Sequence, residues 1–594
     1  MLPAPDAANT VVVDRIPLDA RVILDVGCGD GALGTEYKRR NPAARYLGIE
    51  SDPALARIAA ARLDEVAVVD VEAEPLPFGD EAIDCIVYND VLEHLRDPWR
   101  VLRHQARALR EQGSVVLCIP NVEHWSFAER LLRGTWDYSE HGLTDRGHLR
   151  WFTEETTRRA LLEAGLLVQD CTPRVFDVEQ AEAFVHAMEP ALAALGIDTA
   201  NYLRRAAPLQ HVWRATRSKA AAVHVVSTML PPVGGVSQVR VLDPMQALST
   251  LPGVTAHVTN TLEVPRQPDA AEIFIFHRPA LLGAEGLDAV RRVLAEGYLV
   301  VCEFDDNPDF IPILQHPEVY NFTGVHAVQT STEALADMLR QYNPEVAVFP
   351  NAMMRLPEPR NYTAPGRISV LFAGLNREED WPPYLDALNG AAARARERLH
   401  FEIVNDRALF DALQTPHKSF TPLCDYRTYQ ELLSRCEVSL MPLLDNPFNR
   451  CKSDLKFVEA AAHRVTALAS PVAYGDSIED GQTGVLFRSP QELQQRLLRL
   501  VANPEVGRGI ADAARQYVAR HRMMAYQVDR RVAWYQSLWA RRAEGFAMKA
   551  EIHEAMLARV PALGGPPQAP LRHPPVAVAG AGGPRRFGHP GVAK

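Results

Sequence analysis

The chain has 594 residues and a formal net charge of −11, too long for one core and enough for about three or four domains. It carries no long basic run, against nucleic acid as a main partner, and no apolar run of about 18 residues for a spanning helix, though peripheral membrane association stays open. Its eight cysteines are scattered without C-x-x-C or zinc spacing, so a reducing, cytoplasmic setting and no metal are expected, and the acidic, proline-bearing start lacks the basic and apolar regions of an export signal.

The stretch Val22–Gly34 reads VILDVGCGDGALG: an apolar strand, a turn with Gly27, Gly29 and Gly31, then a helix from about Ala32. Such glycines let backbone N–H groups approach a ligand. The spacing G-x-G-x-G is one residue short of the dinucleotide fingerprint, and the Lys-Ser/Thr of a P-loop is missing. Asp25 before the turn would repel phosphate and suits a cationic ligand such as S-adenosylmethionine. Further strands are expected at Tyr46–Glu50, Val66–Asp70, Ile83–Tyr88 and Val115–Ile119, with helices at Pro53–Leu63 and Pro98–Arg110. That alternation predicts a mostly parallel sheet with helices on both faces, binding its ligand at the carboxyl ends of the strands. Those ends carry Asp25, Glu50, Asp70 and Asn89. Glu50 follows Gly29 by about twenty residues, the distance of a carboxylate that accepts ribose hydroxyls.

DVGCGDG at Asp25–Gly31, Glu50, Asp70–Val71 before LPF, IDCIVYNDVLEHL at Ile83–Leu95, GHLRWFT at Gly147–Thr153 and EAGL at Glu163–Leu166 together resemble class I S-adenosylmethionine-dependent methyltransferases, close to the ubiquinone-biosynthesis and sugar methyltransferases. The resemblance implies that Gly27 and Gly29 line the methionine part, Glu50 holds the ribose, Asp70 and Val71 flank the adenine, and Asn89 stands beside the sulfonium. Candidate bases are His94, His141 and His148, because imidazole titrates near neutral pH; each also reads as a packing or surface histidine. The loop Asp137–His148 is expected to cover the acceptor. Helical pattern follows over Val178–Arg205 and a last strand over Gln210–Thr216, which puts the first domain at 1–219.

A second alternation starts at Val223–Ser227, with a glycine loop at Pro231–Gly235 and a helix over Val236–Leu248; strands are expected at Glu272–Phe276, Leu299–Phe304, Val325–Gln329 and Ala347–Phe349. The acids Glu303, Asp305 and Asp306 could bind a divalent ion, hydrogen-bond a sugar or cap the next segment. A third alternation runs from Ile368–Phe372 through Leu399–Val404, Val438–Met441, Thr466–Ala469 and Gly484–Phe487. Within it FNRCKSDLKFVEAAAHRV puts Lys452 and Ser453 at a helix start, with Lys452, Lys456 and Glu459 on one face. Lysine at a helix N-terminus suits a diphosphate, and a carboxylate two turns on can accept ribose hydroxyls.

The paired Rossmann-like halves, this helix, PPVGGV at Pro231–Val236, FPN at Phe349–Asn351 and ASPVAY…GVLF at Ala469–Phe487 resemble the large retaining group of GT-B glycosyltransferases with an E-x7-E motif. Glu459 matches the second glutamate; Cys451 stands where the first belongs. The resemblance implies a nucleoside-diphosphate sugar donor, held by Gly235, Arg377, Lys452, Ser453 and Glu459. The fold expected is α/β: a Rossmann-like methyltransferase domain (1–219), then GT-B acceptor-side (220–364) and donor (365–545) domains, then a disordered Pro/Gly/Ala-rich tail (546–594). The leading expectation is a bifunctional enzyme acting on a cell-surface glycan or glycolipid. The alternatives are a glycosyltransferase-like half that only binds glycan or nucleotide, and a lipid or small-metabolite methyl acceptor.

Overall fold

The computed structural model describes residues 8–78, 82–229, 235–262, 266–359, 366–375 and 377–557, and these hold three sheets. The first contains β1 (Val22–Val26), β2 (Arg45–Glu50), β3 (Glu65–Val68), β4 (Ile83–Asn89), β5 (Leu109–Pro120), β6 (Leu167–Arg174) and β7 (Gln210–Thr216), in the order β3-β2-β1-β4-β5-β7-β6. β1 pairs in parallel with β2 and β4, and β7 runs antiparallel to β5 and β6. Every residue of β1 is buried, as in parallel strands covered on both faces: Val22, Leu24 and Val26 pack on one side, Ile23 on the other with Tyr37 and Tyr46.

The second sheet is wholly parallel, β8 (Val223–Thr228), β9 (Val254–Thr259), β10 (Ala271–His277), β11 (Leu299–Glu303), β12 (Ala327–Thr330) and β13 (Val346–Val348), ordered β13-β12-β11-β10-β8-β9. The third, also parallel, contains β14 (Ile368–Ala373), β15 (Leu399–Val404), β16 (Lys418–Thr421), β17 (Val438–Met441), β18 (Thr466–Ala469) and β19 (Val485–Leu486), ordered β16-β15-β14-β17-β18-β19. The helix Val528–Ala540 returns to the second sheet, where Tyr535 Oη donates to Gln329 Oε1 at 2.8 Å.

The first sheet unit docks on the others through the amino ends of its strands. Leu18 N donates to Thr250 Oγ1 at 3.0 Å, the Arg214 guanidinium reaches the Ser249 and Thr250 carbonyls, and Arg355 makes a two-pronged pair with Glu36 at 2.6 Å each. A cavity of about 650 Å³ remains at this seam, with Asp19, Arg21, Asp84 and Thr216 on one wall and Leu251, Val254 and Asp529 on the other.

Three expectations are corrected. The tail read as disordered from 546 is helical to Leu557 within Arg542–Leu557, because Phe546 packs on His326 and the buried Lys549 donates to Thr323 O at 2.8 Å. β3 ends at Val68, so Asp70 lies past the strand. The run Val178–Arg205 splits into Val178–Ala194 and Thr199–Ala206 around Gly196, whose φ is 68°. Residues 231–234 of the PPVGGV loop and the tail beyond 557 lie outside the described residues.

Candidate functional sites

The first candidate site is built on the turn after β1, where Gly27, Gly29 and Gly31 have φ of 72°, 55° and 82°. A Cβ on Gly27 would stand 2.6 Å from Val91 Cγ2, and one on Gly31 3.2 Å from Ala59 Cα; one on Gly29 would meet nothing within 4 Å. Gly29 therefore fronts open space. Glu50, at the end of β2, accepts from Gly29 N and from Asp52 N, each at 2.9 Å, which fixes the carboxylate beside that space with lone pairs to spare.

Asp25, expected to favour a cationic ligand, lies inside the fold. It is buried; its Oδ2 accepts from Tyr46 Oη at 3.1 Å and its Oδ1 has no hydrogen-bond partner. Burial pushes its pKa up to about 7, as expected of a desolvated carboxyl. Asp70 is exposed and accepts from Glu72 N at 2.9 Å, making the turn after β3, while Val71 packs against the core. Asn89 Oδ1 accepts from Asn9 Nδ2 at 3.0 Å, tying β4 to the N-terminal segment.

Beyond β4 the chain enters a crowded polar pocket. Asp90 has φ of 57°, a conformation costly for a residue other than glycine. It is held by Gln210 Nε2 at 2.6 Å and by its own N–H on Cys118 O at 3.1 Å, and burial pushes its pKa up to about 6. The Glu93 carbonyl accepts from Leu149 N at 2.7 Å and Arg150 N at 3.0 Å, which pins the end of the 137–148 loop. This brings His148 to His94, with ring centroids 4.8 Å apart and planes at 72°. The Glu93 side chain is buried, neither oxygen accepts a hydrogen bond, and His148 Nε2 stands 4.0 Å from Oε1. Burial, then the neighbouring His94, lowers the pKa of His148. His141 is exposed, its carbonyl held by Ser139 Oγ, apart from that cluster. Asp90 and Glu93 were missed from sequence because D-V-L-E-H-L reads as an apolar turn; their adjacency to Asn89 and His94 was the available signal.

The second candidate site lies where the carboxyl ends of the second and third sheets face each other. Lys452 and Ser453 precede the helix Leu455–Ala462 rather than opening it, and Asp454 occupies the cap position. Lys452 Nζ pairs with Asp306 at 2.8 Å and lies 4.0 Å from the Phe448 ring centroid; Ser453 Oγ accepts from Asn351 Nδ2 at 2.8 Å. The acidic triplet is matched by cations: Glu303 by Arg240 at 2.8 Å, Asp305 by Arg278 at 2.5 Å, and Asp306 by Lys452. Arg377 donates to Asn449 Oδ1 at 3.1 Å and pairs with Asp380 at 3.3 Å.

Glu459 is buried and accepts from Tyr426 Oη at 2.7 Å and Tyr429 Oη at 3.0 Å; burial pushes its pKa up to about 7. Lys456 is partly buried by area, yet its ammonium donates to Ala373 O and desolvation draws its pKa down to about 7. Gly235 abuts Tyr426, 2.7 Å from where its Cβ would stand, so the residue expected to approach a donor faces a tyrosine ring. Cys451 is buried against Met338 Sδ at 3.5 Å and accepts from Asn307 Nδ2 at 3.4 Å. Tyr426 and Tyr429 escaped the sequence reading, although their three-residue spacing puts them on one helical face.

Residues 11–170 match a family model described as a methyltransferase domain, and the chain carries such a domain there. An uncharacterized 37.1 kDa protein in transposon TN4556 of Streptomyces fradiae is 32% identical over 188 residues, 30% of this chain and 54% of that protein. An uncharacterized methyltransferase of Mycobacterium leprae is 34% identical over 103 residues, 17% of this chain and 38% of its own length. The chain thus spans about half the length, or less, of these curated relatives. Among solved structures, the [4+2]-cyclase SpnF aligns with a TM-score of 0.24 and 22% identity over 35% of this chain and 79% of that one. TarM aligns with a TM-score of 0.36 and 12% identity over 45% and 55%. Among the described residues no helix is long and apolar enough to cross a membrane.

Proposed function

We propose that the chain is a bifunctional, cytoplasmic transferase: an S-adenosylmethionine-dependent methyltransferase joined to a nucleotide-sugar-dependent glycosyltransferase that modifies a cell-surface glycan or glycolipid. The observation that carries the methyl-transfer reading is the cradle at Gly29, open in front and edged by the fixed Glu50 carboxylate. The buried, unpartnered Asp25 Oδ1 fits a cationic ligand nearby. S-adenosylmethionine, when bound, supplies an activated methyl group on a cationic sulfur. Glu50 holds ribose hydroxyls, Val71 and the Asp70 turn flank the adenine, and Asn89 borders the methyl position. Asp90, Glu93, His94 and His148 orient the acceptor, and Asp90, poised near neutral pH, takes its proton. Positioning supplies much of the acceleration.

In the second site, Lys452 and Arg377 carry the charge that a leaving nucleoside diphosphate needs. Diphosphate would take Lys452 from Asp306, exchanging one charge-assisted contact for another. A second reading is that this half binds a nucleotide or glycan without transfer. It is favoured by Cys451 where an acid is expected and by tyrosine hydroxyls on both Glu459 oxygens.

Calorimetry on the full chain with S-adenosylhomocysteine and with uridine diphosphate tests the pair of sites, followed by radiolabel transfer from both donors. Binding of both with label transfer is expected. Diphosphate binding without sugar transfer selects the second reading, and failure to bind S-adenosylhomocysteine overturns the methyl-transfer reading.

A further inference from the structure

We infer that Glu93, His94 and His148 form a site for a first-row divalent cation beside the methyl-acceptor position. Their ligand atoms all lie within 4.8 Å of one another. Two imidazoles and one carboxylate make a donor set typical of zinc, iron(II) and manganese(II). Glu93 gives the independent pointer: it is 1% exposed and neither oxygen accepts a hydrogen bond, a state that is costly for a buried polar group without a partner.

Asp90 and Asp145 both act electrostatically on Glu93, and Arg174 faces Asp90. The framework is also built to hold a ligand set. The two N–H groups after His148 are fixed on the Glu93 carbonyl, and Gly147 passes so close that a Cβ there would stand 2.8 Å from His94 Nδ1. Metal–ligand bonds of roughly 2.0–2.2 Å call for small side-chain rotations that draw the three groups together. Three protein ligands leave coordination positions open. In the methyltransferase reading, on which this role rests, those positions take a hydroxyl of the acceptor, so the methylated atom is oxygen.

The test uses the full chain stripped with a chelator. Titration with zinc is followed by calorimetry, and cobalt(II) by its visible absorption. One equivalent is expected to bind. Glu93→Gln and His148→Ala should each weaken binding by more than the roughly 10–100-fold that loss of a second-shell partner costs. Both variants should keep affinity for S-adenosylhomocysteine, which also reports that they fold. No stoichiometric ion on the stripped wild type, or unchanged affinity in both variants, overturns the site. If no ion binds and Glu93→Gln instead weakens S-adenosylmethionine but not S-adenosylhomocysteine, the pocket's charge serves the sulfonium and the metal proposal fails. Loss of S-adenosylhomocysteine binding in the wild type would count against the methyltransferase reading alone.

Discussion

Glu50 holds two backbone N–H groups with two oxygens, so Glu50→Gln must turn an amide N–H₂ toward one of them. Loss of a charged acceptor in such a place costs about 1.5–3 kcal/mol. The expected outcome is S-adenosylhomocysteine affinity at least about tenfold weaker by calorimetry, with a melting temperature lower by a few degrees. Asp25 behaves differently. Its pKa rises from 3.8 to about 7 on folding, so the folded state favours the protonated acid. That contribution to stability is fully present below about pH 4 and is lost as pH rises through about 7. Asp25→Asn keeps a partner for Tyr46 and cannot ionise. Its melting temperature should therefore gain on the wild type by a few degrees between pH 5 and 8, and a melting series across that range checks it. The location of Glu50 was legible because its distance from the glycine turn is set by one helix and one strand. The burial of Asp25 was not. Strand alternation points it to the face shared with Tyr37 and Tyr46, and only the packing of those rings determines how much water reaches it.

The glycine turn separates two costs that a sequence motif runs together. Gly27→Ala meets Val91 at 2.6 Å as well as an unfavourable φ, and overpacking of this kind costs about 1–3 kcal/mol. Gly29→Ala meets no protein atom and carries the backbone strain alone, about 1–2 kcal/mol, while its methyl projects into the space proposed for the ligand. Chemical denaturation should rank Gly27→Ala as the more destabilised, and S-adenosylhomocysteine titration should rank Gly29→Ala as the weaker binder relative to its stability. The three sheets were readable from alternating apolar runs because parallel strands are buried on both faces. The helix Arg542–Leu557 was not readable. Its composition merges with the proline-rich tail, and what orders it is tertiary: His326 under Phe546 and the Thr323 carbonyl on Lys549. Helix starts shifted for a similar reason, since the polar turn before Leu455 is held by Asn351 and Asp306 from the second sheet unit.

The seam between the first sheet unit and the rest is specific. Glu36 is mostly buried and receives Arg355 at two points of 2.6 Å, the bidentate form that gives orientation as well as energy. Glu36→Arg should loosen the docking, seen as faster proteolysis within 218–222 and a separate early transition in calorimetry. Adding Arg355→Glu should restore most of the lost protection. That the chain has three sheet units was legible from composition and periodicity. How they meet was not, because the contacts are single residues hundreds of positions apart.

The amino ends of the strands in the first and second sheets face one another across the 650 Å³ cavity, while the Gly29 cradle and the Lys452 cleft open at the carboxyl ends. The two mouths therefore point away from each other. On the proposed two-activity reading, a product leaving one mouth mixes with the bulk before it reaches the other. Two chains, one disabled at Glu50 and one at Lys452, should then complement each other in a mixture and form doubly modified product from free acceptor. A shared lumen would forbid that complementation.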